Sequence, residues 1–97
     1  METTNNRNTT DMITVKNNTP ASLICGNFDS NSTAFGIPFD AETIPAGKTA
    51  TLKTGNFPSV LVGLQVQSGG VYLNTPKSAP KVKKGDTLTI SLDQITP

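Results

Sequence analysis

Ser59-Val-Leu-Val-Gly-Leu-Gln-Val-Gln67 decides the fold. Val60, Val62, Leu64 and Val66 recur at every second position, with Gly63, Gln65 and Gln67 between them. A period of two marks a strand with one buried face, whereas a helix would need apolar residues three and four apart. No window of about 11 residues elsewhere carries a helical stripe, so no long helix is predicted.

Toward the C-terminus, Ser68-Gly-Gly70 predicts a hairpin turn into Val71-Tyr-Leu73. Asn74 to Pro80 is polar and holds two prolines. Lys81-Val-Lys-Lys-Gly-Asp86 reads as a turn into a last strand, Thr87 to Asp93. That strand turns Leu88, Ile90 and Leu92 inward and Thr87, Thr89 and Ser91 outward.

Toward the N-terminus, Pro45-Ala-Gly47 makes a turn before a strand in which Ala50 and Leu52 oppose Thr49, Thr51 and Lys53. Ala34 to Phe39 sets Phe35, Ile37 and Phe39 on one face. Pro38 removes a ladder donor there, which predicts an edge strand or an extended loop. Gly26 to Thr33 is turn chemistry throughout. Ala21, Leu23 and Cys25 alternate with Ser22 and Ile24 in a strand buried on both faces. Ile13 and Val15 alternate with Thr14 and Lys16 in another, which Asn17-Asn-Thr-Pro20 closes. Residues 1–11 are polar and aperiodic and read as a disordered tail, leaving 12–97 as a single domain.

Six or seven short strands between Gly, Pro and Asn turns predict a small antiparallel β-sandwich. The 97 residues allow one core and no second domain. Charged residues are 15% and hydrophobic ones 34%, with the balance in 15 Thr, 9 Asn and 7 Ser. A net charge of +1 and many β-branched residues set this chain apart from a disordered one. The strand ending in Asn17-Asn-Thr19, the Pro45-Ala-Gly47 turn into a Thr-rich strand and the Lys84-Gly-Asp-Thr87 entry to the last strand resemble immunoglobulin-like sandwiches. The chain has no Trp and one Cys, so it is not an antibody-type domain, which pairs a buried Trp with a disulfide.

The composition removes several chemistries. With no His, the chain lacks the commonest general base, Ser–His and Cys–His pairs, and His-containing zinc sites. Cys25 cannot form an internal disulfide and lies in an apolar run, so it reads as a packed residue. Residues 1–10 have no apolar core of a signal peptide, and no apolar run approaches a membrane span. A cytoplasmic protein is the default expectation, with a processed secreted protein as the alternative. Sequons at Asn8, Asn17 and Asn31 are what chance supplies in so Asn- and Thr-rich a chain.

The segment from Gly26 to Glu42 is the longest without a paired-strand pattern, and long loops in small domains carry function. Asn27, Asp29, Asn31, Phe35, Phe39 and Asp40 are its candidate partner-binding residues, an apolar anchor with a polar rim. The competing reading makes Phe28, Phe35, Phe39 and Phe57 apolar plugs at the open end of the sandwich. Asp29, Asn31, Thr33 and Asp40 echo a calcium loop. The echo fails at Ala34, where a glycine is needed, and at Asp40, where a glutamate is usual. No metal or cofactor is expected.

Lys77, Lys81, Lys83 and Lys84 make the second half basic, at +4 after Thr43 against −3 before it. Without interleaved arginines or aromatics they fit protection of a sheet edge better than nucleic-acid binding. Asp29, Asp40, Glu42, Asp86 and Asp93 form no acid–base motif, so no enzyme is predicted. The expectation is a non-enzymatic module that contacts a protein through loops. A carbohydrate-binding module using the Phe/Asn loop is one alternative, and a self-assembling subunit using an exposed sheet edge is the other.

Overall fold

A computed structural model describes residues 11–66 and 71–95. Its strands are β1 (Met12–Asn17), β2 (Leu23–Asp29), β3 (Asp40–Ile44), β4 (Thr49–Lys53), β5 (Ser59–Val66), β6 (Lys81–Lys83) and β7 (Thr87–Ile90). A single turn of 3-10 helix follows at Leu92–Gln94. A three-stranded sheet, β4-β1-β7, packs on a four-stranded one, β3-β2-β5-β6.

The alternating residues meet between these sheets. Ile13, Val15, Leu52 and Ile90 come from one, and Leu23, Cys25, Ile44, Val60, Val62, Leu64 and Val82 from the other. Cys25 is fully buried among them, and burial pushes its thiol up to about 12. Leu88 also faces the core but is only half-buried, because β7 is an edge.

Pairing is antiparallel except between β1 and β7, which run parallel from Thr14↔Thr87 to Asn17↔Ile90. The turn after β6 is the cause. Gly85, at φ +92°, donates to the Met12 carbonyl at 2.8 Å, and Thr14 N–H reaches the Asp86 carbonyl at 3.0 Å. The chain therefore crosses to the other sheet beside the start of β1 and must leave in the same direction. Immunoglobulin constant domains group strands one, two, five and four against three, six and seven. This grouping differs, so the architecture is that of a generic sandwich.

Three further differences from the sequence reading have physical causes. Gly26 to Asp29 is strand, not turn, because Gly26 pairs with Gly63 of β5 and Phe28 with Leu61. The two glycines leave a trough on the outer face of the four-stranded sheet. Pro38 lies over Gly26, while the rings of Tyr72 and Phe28 lie over Gly63. Asp40 to Ile44 and Lys81 to Lys83 are also strands. Both are edge strands with several exposed residues, which hides the alternation. The last strand stops at Ile90, where Ser91 N–H turns to Gln94 Oε1 at 2.7 Å, and Leu92 is half-exposed rather than inward.

The predicted turn at Ser68 to Gly70 lies outside the described residues, as do residues 1–10 of the predicted tail. Asp11 is tied into the fold: its carbonyl accepts from Thr54 N–H at 2.8 Å, and its carboxylate meets Lys84 Nζ at 3.1 Å. Beyond the turn, Tyr72 makes a single bridge to Gln65. Asn74 then serves β5 with its side chain, accepting from Leu64 N–H at 3.1 Å and donating to the Val62 carbonyl at 3.0 Å.

Candidate functional site

One end of the sandwich gathers the loop between β2 and β3, the β4–β5 turn, the β6–β7 turn and the start of β1. The β2–β3 loop begins as an Asx turn, in which Asp29 Oδ1 accepts from Asn31 N–H at 3.0 Å. The Asp29 carbonyl accepts from Ser32 N–H at 2.9 Å. At the other base of the loop, Asp40 Oδ2 accepts from Lys53 N–H at 2.6 Å, fastening β3 to β4 of the opposite sheet. The two carboxylates of the calcium-like pattern thus hold different backbone donors. Among the described residues no three His, Cys, Asp or Glu side chains come together.

Asn27 does not reach the surface. It is fully buried, its Nδ2 donates to the Lys53 carbonyl at 2.9 Å, and its main-chain carbonyl accepts from Phe39 N–H at 3.1 Å. Its Oδ1 is buried without a partner. Asn27 therefore braces the loop from beneath, while Asn31 is exposed at its top.

The two candidate phenylalanines part company. Phe35 is half-buried and stacks on Phe28 at 4.4 Å, with Tyr72 at 4.9 Å. These rings form a lid over the glycine trough, and partial burial raises the Tyr72 hydroxyl above its ordinary value by desolvation. Phe39 is 44% exposed and stacks on Phe57, 40% exposed, at 5.1 Å. Midway between Phe35 and Phe39 in sequence stands Ile37, 95% exposed. Phe35, Ile37 and Phe39 do not share one face: the first points to the lid, the last to the β4–β5 turn, and Ile37 to solvent. An open groove of about 400 Å³, lined by Asp11, Met12, Lys53 and Gly55, lies at the same end.

The sequence pattern sets Ile37 beside Phe35 and Phe39 but does not mark it as a partner-binding candidate. Its flanking Gly36 and Pro38, which deny it a paired strand, were the available signal. Lys81 and Lys83 stand exposed on the β6 edge, and Lys84 is paired to Asp11. Among the described residues no Ser, Thr or Cys is hydrogen-bonded to a carboxylate or an amine, so no activated nucleophile is assembled. No helix among the described residues is long and apolar enough to cross a membrane. No family model, curated protein or solved structure matches the chain.

Proposed function

We propose that this domain is a non-catalytic protein-binding module whose contact surface is the β2–β3 loop, with Ile37 as its anchor. Scattered exposed apolar residues are ordinary. Ile37 differs because both flanks are pinned: Phe35 is stacked on Phe28 and Phe39 on Phe57. A side chain 95% exposed on so fixed a pedestal loses little further entropy when a partner covers it. Burying it contributes about 1.5–3 kcal/mol. Phe39 and Phe57 extend the apolar patch, and Asn31, Asp29 and Asp40 form its polar rim. The matching partner surface is an apolar pocket rimmed by hydrogen-bond donors. In this reading the sandwich works as immunoglobulin-like modules do, through loops at one end of a rigid scaffold.

Ile37→Ser tests the proposal because nothing in the fold rests on that side chain. The variant should melt within about 2 °C of the parent. Any partner captured from the native host by the parent should bind the variant at least tenfold more weakly once purified. Equal binding by parent and variant would reject the loop as the contact surface. A glycan-array signal lost in Phe57→Ala would favour carbohydrate instead.

A further inference from the structure

Among the described residues the sandwich has four edge strands, β4 and β7 in one sheet and β3 and β6 in the other. Three carry charge: Asp40 and Glu42 on β3, Lys53 on β4, Lys81 and Lys83 on β6. β7, Thr87-Leu-Thr-Ile90, carries none. Charged residues on an edge discourage pairing with another chain, so β7 is the edge left without that protection.

The direction of its free groups follows from the parallel ladder. Thr14 N–H bonds the Asp86 carbonyl at 3.0 Å and Asn18 N–H the Ile90 carbonyl at 2.9 Å. Alternate residues of a parallel strand face the same neighbour, so Asp86, Leu88 and Ile90 serve β1. Thr87 and Thr89 direct their N–H and C=O groups away from it. Among the described residues no strand pairs on that side, and both threonines are exposed.

We propose that β7 pairs antiparallel with β7 of a second copy of this chain, about a two-fold axis at Leu88. Thr87 then lies opposite Thr89 of the second copy, and the two pairs exchange about four main-chain hydrogen bonds. The axis brings the half-buried Leu88 against its counterpart on the inner face and completes its burial. On the outer face it sets threonine against threonine, a favourable cross-strand pair. Charge disfavours the other edges, since β6 against itself would oppose lysine to lysine, β3 would oppose carboxylates, and β4 carries Lys53 at its end, whereas β7 carries no charge. The contact is isologous, so assembly closes at a dimer with one continuous six-stranded sheet.

Sedimentation equilibrium over a concentration series, with amide exchange read by NMR, tests the pairing. Apparent mass should rise from 10.2 kDa toward twice that, and the Thr87 and Thr89 amides should exchange more slowly as concentration rises. Thr89→Pro deletes one outward donor and no bond to β1, so it should weaken association at least tenfold with the fold intact. A T87K/T89K variant alters exposed side chains only and should be monomeric. Mixed with T87E/T89E it should form a heterodimer. Ile37→Ser should associate like the parent. Monomer mass up to millimolar concentration overturns the proposal, as does a dimer that survives both threonine variants. A dimer dissolved by Ile37→Ser would place the interface at the loop end instead. A monomer that takes up an unrelated extended peptide along β7 would overturn the second copy as its occupant.

Discussion

Replacing Gly63 by alanine puts one methyl group into the space that seats the aromatic lid. The new Cβ would stand 2.8 Å from Tyr72 Cε1, 3.0 Å from Tyr72 Cδ1 and 3.0 Å from Phe28 Cε2. Carbon atoms settle at about 3.5–4.0 Å, so the rings must retreat by at least about 0.5 Å. Tyr72 has little freedom to do so, since it bridges Gln65 and the next residue donates to the Leu64 carbonyl at 2.7 Å. Overpacking of this kind costs about 1–3 kcal/mol, against about 0.4–1 kcal/mol regained by restricting the unfolded chain. The net destabilisation is about 1–2 kcal/mol, or about 4–16 °C in Tm for a domain of this size. A double-mutant cycle by urea unfolding sharpens the test. Tyr72→Ala removes two of the three close contacts, so Gly63→Ala should then cost less by at least about 0.5 kcal/mol. Gly26→Ala is the control: its Cβ meets Pro38 Cβ at 2.9 Å, so its penalty should persist without Tyr72. Wild-type stability in Gly63→Ala, or one penalty with and without Tyr72, would refute the account of the trough.

Three other perturbations have definite expected outcomes. Buried Asn17 donates to the carbonyls of Ala21 at 2.7 Å and Ile44 at 2.9 Å and accepts from Thr19 Oγ1 at 2.6 Å. Asn17→Ala should therefore cost about 2–4 kcal/mol in urea unfolding, several times the effect of an exposed Asn18→Ala. Asn74→Ala should cost about 1–3 kcal/mol by stranding Leu64 N–H and the Val62 carbonyl. Asn74→Asp keeps only the acceptor, and it should regain stability in acid as protonation restores a donor. Cys25 titrates near 9.0 when unfolded but near 12 when folded, so the folded state retains its proton more strongly between those values. Stability due to Cys25 is intact below pH 9 and falls by up to about 1.4 kcal/mol per pH unit above it. Tyr72 shifts in the same direction, so the measurement is the difference in urea midpoint between parent and Cys25→Ala at pH 8 and 10.

The strands legible in the sequence are those whose core-facing residues alternate with polar or small ones. Ile13 with Val15, Ala50 with Leu52 and Val60 through Val66 announce themselves by alternation. β3 was concealed because Ala41, Glu42 and Thr43 are all exposed, and β6 because one buried Val82 between lysines carries no period. Gly26 to Asp29 looked like a turn because its strand character resides in a partner, Gly63, that local sequence does not reveal. The same holds at the candidate site. The choice of the β2–β3 loop follows from its length and composition. Which side chains leave its surface depends on contacts with Phe28, which pairs into β2, and with Phe57 and Tyr72 from outside the segment. Asn27 reads from sequence as a polar rim residue, yet the ladder pairing turns it inward.

The parallel pairing of β1 with β7 predicts an order of assembly. β2, β3, β5 and β6 can zip from neighbouring or antiparallel segments, and β1 can find β4 once Lys53 has been made. The three-stranded sheet is complete only when β7 joins from the far end of the domain, the contact with the largest loop-closure cost. During synthesis Ile13 and Val15 are made first, yet the sheet they belong to closes last. During that interval the chain should be most exposed to aggregation. In unfolding, β7 should be the strand that peels away earliest.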